Sequence, residues 1–226
     1  MTLEIRHSQV KTVLMLNESR VRTGISERWG CFDSSLESYN NAFAVAAGEP
    51  IEGFVQKRRE TTGACTVLNL MGQTMVLREL KEFGLDRGVA VALDDLRTDE
   101  QKYNDQKLGV EQLAGDVLRA SLWKELAGET FDLIMCRPGG GMAYLPKSEP
   151  VHLALFQKMF QLLSSNDGLL LTEVDSTIIP SNQQLQSWID GQNQGSKHRI
   201  NFATNFGIFV GHDVMVLRKL GQPSAA

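Results

Sequence analysis

Apolar residues along this chain follow two rhythms, and the change between them falls near residue 61. Beyond it, short apolar runs at 67–70, 88–93, 109–113, 131–136 and 169–174 alternate with stretches whose apolar residues recur every three to four positions. Continuous apolar runs suit strands of a parallel sheet, because helices cover both of its faces. The intervening periodicity predicts helices over 75–83, 97–107, 118–126, 151–163 and 182–189. In the first of these, Val76, Leu80 and Phe83 share one face and Gly84 supplies the stop. The clearest is 151–163, with Leu155, Phe156, Met159, Phe160 and Leu163 on one stripe and His152 read as a surface residue. Segments 198–202 and 214–220 instead alternate apolar with polar. They leave little room for a helix between them, so they are expected to pair antiparallel at one edge.

Residues 1–60 carry no such alternation. Ser34 or Ser35 can cap a helix holding Leu36, Tyr39, Phe43 and Val45, which Gly48-Glu49-Pro50 ends, and 51–59 reads as a second helix. The expected organisation is a helical N-terminal cap or lid (1–60), an α/β domain (61–220) and a disordered tail (221–226). Strands separated by helices imply a three-layer sandwich with a mostly parallel sheet.

Composition narrows the class. With 226 residues, 42% hydrophobic and 22% charged, the chain can bury one sizeable core. A net charge of −4 gives no general attraction to nucleic acid or an anionic membrane, so a nucleic-acid partner is not expected. No apolar run approaches the ~20 residues of a membrane span, and the charged N-terminus lacks a signal-peptide pattern. Three scattered cysteines (Cys31, Cys65, Cys136) read as free thiols of a reducing, cytoplasmic compartment. The four histidines show no metal-ligand spacing, so no metal is expected.

In such a sheet ligands bind beyond the carboxyl ends of the strands. After the first strand, Asn69 and the turn Met71-Gly72-Gln73 lead into a helix, and a turn of this kind gathers backbone N–H groups. After the second come Asp94 and Asp95, about 20 residues on, where a carboxylate accepts ribose hydroxyls or, alternatively, caps the next helix. Asp94 is favoured because it follows the apolar run directly. After the third, Gly115-Asp116-Val117 offers an acceptor for an adenine amine, or a helix cap. After the fourth, Cys136 and Arg137 precede Pro138-Gly139-Gly140-Gly141, where backbone can approach a ligand closely or simply form a flexible loop.

These four strand ends together resemble the class I S-adenosylmethionine-dependent methyltransferases, over about residues 61–220. The resemblance rests on Val67-Leu68-Asn69-Leu70 with Gly72, Ala92-Leu93-Asp94, Gly115-Asp116-Val117, Phe131-Asp132-Leu133-Ile134, Gly168-Leu169-Leu170-Leu171 and Val216-Leu217-Arg218-Lys219. It implies a Rossmann-like, seven-stranded sheet whose last hairpin is antiparallel. It also implies S-adenosylmethionine as cofactor, held by Asn69, Met71, Gly72, Gln73, Asp94, Asp95, Gly115, Asp116, Val117, Cys136 and Arg137. Asp132 would be structural. The acceptor would be a small molecule or a protein, since Arg137-Pro138-Gly139-Gly140 replaces the Asn/Asp-Pro-Pro-aromatic run associated with base or glutamine amino groups. Trp29, Phe32 and Tyr39 are candidates for lining its pocket, with core packing as the alternative, and Tyr144 and Arg137 are candidates for orienting the acceptor. The chain departs from the family's first motif, which carries an acidic residue at Asn69 and glycines at Met71 and Gln73. Two rival readings follow: a non-catalytic methyltransferase-like binding or regulatory subunit, and a dinucleotide oxidoreductase, whose glycine spacing is not met.

Overall fold

The computed structural model describes residues 33–138, 145, 149–175, 187, 190–191, 198–204 and 212–219. In chain order these form α1 (Leu36–Ala47), α2 (Ile51–Thr62), β1 (Thr66–Leu70), α3 (Met75–Lys81), β2 (Arg87–Ala92), α4 (Asp99–Leu108) and β3 (Val110–Ala114). They continue with α5 (Ala120–Glu125), β4 (Leu133–Cys136), α6 (Glu149–Leu162), β5 (Leu169–Asp175), β6 (His198–Thr204) and β7 (His212–Lys219). Trp29, Phe32, Tyr144, Cys31, most of the predicted helix over 182–189 and the tail lie outside the described residues.

The strands form one seven-stranded sheet in the order β3-β2-β1-β4-β5-β7-β6. β1 to β5 run parallel, and β7 pairs antiparallel with both β5 and β6. This is the expected sheet with its reversed last hairpin. From β1 the chain winds outward through β2 to β3, then returns to place β4 on the other side of β1. The switch point therefore lies between β1 and β4.

Strand residues alternate between two apolar layers. Leu68, Leu70, Ile134, Cys136 and Leu170 face α5 and α6. Val67, Leu133, Met135, Leu169 and Leu171 face Leu36, Tyr39, Phe43, Phe54 and Val55 of α1 and α2, and Val76, Leu77 and Leu80 of α3. The first two helices thus share a core with the sheet. Below the sheet, Arg58 of α2 donates to Asp132 at 2.9 Å, and the other oxygen of Asp132 accepts the Thr66 N–H at 2.9 Å. This node joins α2, β1 and the entry to β4.

Local chemistry moves several predicted boundaries. Gly109, expected to open β3, adopts φ +64° and ends α4, and its N–H bonds back to Asp105 and Gln106. Thr98 and Gln101 form a reciprocal capping box that starts α4. His152 is fully buried in α6, not on the surface. Its spacing of three and four from Leu155 and Phe156 puts it on the buried stripe.

Candidate functional site

The strand ends hold two environments side by side. At the end of β1, Asn69 lies fully buried and points toward α1. Its Oδ1 accepts the Tyr39 hydroxyl at 2.6 Å, and its Nδ2 donates to the Gln73 carbonyl at 2.9 Å. Tyr39, a sequence candidate for acceptor contact, is itself enclosed and packs on Phe43, and burial raises its pKa. A Cβ on Gly72 would stand 2.5 Å from Asn69 Nδ2 and 2.9 Å from Tyr39 Oη. Glycine is therefore required, because both neighbours are fixed by hydrogen bonds. Met71 adopts φ +60°, a left-handed conformation that costs a non-glycine residue about 1–2 kcal/mol. Gln73 is 5% exposed, and its Nε2 donates to the Asp94 carbonyl at 3.0 Å. The side chain therefore bridges the β1 turn and the end of β2.

At the start of α3 the Met75 N–H donates to both carboxylate oxygens of Asp33, at 3.0 and 3.2 Å. Arg78 contacts Asp33 at 3.4 Å and Asp105 at 3.1 Å, while Arg97 reaches Asp105 at 2.9 Å. Asp105 is fully buried on α4, and also accepts the Thr74 hydroxyl at 2.7 Å. A buried carboxylate is tolerable when two cations and a hydroxyl surround it. Sequence reasoning missed this cluster. Its one visible signal is the Asp105 position inside an otherwise solvated polar helix.

Between the ends of β2 and β3 lies a cavity of about 440 Å³, lined by Leu93, Asp94, Ala114, Gly115, Asp116 and Arg119 among others. Asp94 is exposed here, and its carboxylate makes no hydrogen bond among the described residues. Asp95, its neighbour, is engaged: Arg97 Nε donates to it at 2.8 Å, and this bond pulls its pKa down to about 2. The two aspartates thus divide the alternatives, Asp95 bracing the loop and Asp94 facing the cavity. Asp116 is mostly buried and accepts the Leu118 N–H at 2.8 Å, which forms a turn ahead of α5. Gly115 is small because a Cβ would stand 2.9 Å from Leu122. Val117 accepts the Trp123 indole N–H at 2.8 Å.

Cys136 faces away from the β1 turn, toward α6, with Met159 Sδ at 3.8 Å, and burial pushes its thiol up to about 12. Arg137 is 5% exposed at the end of β4, where its N–H donates to Leu70 at 2.9 Å. Among the described residues no cluster of metal ligands occurs, and no helix is long and apolar enough to cross a membrane.

No family model and no curated protein matches this chain. Solved structures do. The plantazolicin methyltransferase BpumL in complex with SAH superposes with a TM-score of 0.51 at 11% identity, covering 94% of this chain and 99% of that one. An rRNA methylase from Streptococcus thermophilus gives 0.49 at 11% identity, over 75% and 93% of the two chains. A proposed S-adenosylmethionine-dependent methyltransferase from Streptococcus mutans gives 0.45 at 16% identity, over 73% of this chain and 47% of its own, so this chain spans about half its length. With its strand order and reversed hairpin, the chain has the Rossmann-like fold of class I S-adenosylmethionine-dependent methyltransferases.

Proposed function

We propose that this chain binds S-adenosylmethionine at the ends of β1 to β4 and directs methyl transfer to a small-molecule or protein acceptor. The observation that carries the reading is Asp94, an exposed carboxylate on the β2–β3 cavity with no hydrogen bond among the described residues. A carboxylate in that position suits the two adjacent hydroxyls of a ribose. Gly115 and Asp116 border the same cavity, where a purine would lie against the backbone.

When bound, the sulfonium supplies an electrophilic methyl group. The chain is left to align an acceptor and keep it in place. Arg137 is the side chain suited to orient an acceptor near the switch point, and no side chain here is assigned as a general base. The acidic balance of the chain supports a small-molecule or protein acceptor over nucleic acid.

Calorimetric titration with S-adenosylmethionine and S-adenosylhomocysteine tests the proposal. Binding with Kd on the order of 1–100 μM is expected. Asp94→Ala should weaken it at least ~10-fold with the melting temperature unchanged. No binding of either compound to folded protein would defeat the proposal. A second reading then applies, a non-catalytic methyltransferase-like binding or regulatory subunit. It is supported by the β1 turn, whose interior is filled by Asn69, Tyr39 and Gln73 of the chain itself.

A further inference from the structure

Gln73 stands between two places that one extended ligand would have to join. On one side lies the β2–β3 cavity with Asp94, and on the other the switch point between β1 and β4. The Gln73 side chain spans the gap and is held by a single hydrogen bond, Nε2 to the Asp94 carbonyl. A carbonyl only accepts, so the amide nitrogen must face Asp94, and Oε1 is the atom left over. Oε1 is buried with no hydrogen-bond partner among the described residues. A buried acceptor left unsatisfied opposes the placement that its amide nitrogen favours. The carboxamide is thus seated but weakly held, and the backbone at Gln73 carries no positive φ that would tie its position to strain.

We infer that Gln73 is a displaceable latch that sets which ligands the strand-end cleft admits, separating nucleosides from ligands with a longer chain. The inference rests on the reading of the β2–β3 cavity as a nucleoside site. Adenosine would fill that cavity with Gln73 in place. S-adenosylhomocysteine, whose amino-acid chain must extend toward β1 and β4, would enter only after the carboxamide swings aside. Gln73 is then a specificity-determining residue.

Calorimetry on wild type, Gln73→Ala and Gln73→Ser, with adenosine and S-adenosylhomocysteine as probes, tests this, with circular dichroism confirming that each variant is folded. Both variants should bind S-adenosylhomocysteine at least ~10-fold more tightly than wild type, while adenosine affinity changes less than ~3-fold. Unchanged or weaker S-adenosylhomocysteine binding in both variants overturns the latch, the weaker case showing that Gln73 contacts the ligand. Equal gains for both ligands also overturn it, because selection by chain length would be absent. Failure of the underlying nucleoside reading looks different: adenosine then binds neither wild type nor either variant, and the latch falls with it.

Discussion

The two halves of the strand-end cleft are built on opposite principles. At the end of β1 most side-chain polar groups are engaged: Asn69 by Tyr39 and the Gln73 backbone and Gln73 Nε2 by Asp94, while Gly72 is fixed by the lack of space and Gln73 Oε1 is the exception. At the ends of β2 and β3 the backbone withdraws, a cavity opens, and Asp94 faces it without a hydrogen bond among the described residues. A binding site needs polar groups that the protein has not already satisfied for itself. By that measure Asp94 leaves the β2–β3 side open to a ligand, whereas among the described residues the one such group on the β1 side is the buried Gln73 Oε1.

The contrast can be broken most forcefully at Asp105. Asp105→Ala removes the buried carboxylate that ties α3 to α4 and leaves Arg78 and Arg97 short of a partner, each still contacting one other aspartate. Destabilisation of about 3 kcal/mol is expected in urea unfolding. A loss below ~1 kcal/mol would show that the cluster does not hold the β1 side together. Gly72→Ala comes next. It forces a methyl group against Asn69 and Tyr39, and about 1–3 kcal/mol should be lost. Pairing it with Tyr39→Phe, which removes the hydroxyl 2.9 Å from the added methyl, should recover part of that loss, and strict additivity would argue against the clash.

The smallest effect sharpens the other side. Asp95 has its pKa depressed by Arg97, so its contribution to stability is present above the ordinary carboxylate range and is lost as pH falls toward about 2. In Arg97→Gln, carbon-13 NMR titration should show Asp95 back in the ordinary carboxylate range. An Asp95 that stays depressed without the Arg97 guanidinium would mean that this bond does not hold it, and the bracing role drawn for Asp95 would fail.

The fold was legible because it rests on local signals. Apolar runs marked β1 to β5, alternation marked β6 and β7, and the short stretch between those two marked the antiparallel hairpin. The placement of Asp94 at the end of β2 was legible for the same reason, since it directly follows an apolar run. The β1 side was not. That Asn69 is consumed by Tyr39, thirty residues earlier, depends on how α1 docks against the sheet, and no local pattern reports it. The Asp33 contact with Met75 spans 42 residues and was equally hidden. Gly115 illustrates a subtler limit: its smallness is required by Leu122 of α5, a contact that no local pattern reports. His152 shows the opposite failure. Its periodicity was visible and its polarity outweighed it.

The node at the foot of the sheet bears on how the chain is made. Thr66 and Asp132 meet across 66 residues of sequence. During synthesis β1 therefore emerges well before the strand that covers one of its edges. At ~5–20 residues per second that edge stays unpaired for roughly 3–13 s. Arg58, already synthesised, waits through the same interval without the carboxylate it will bind. The nascent chain must pass through a stage in which the sheet is half assembled and one strand edge is open to pairing with other chains.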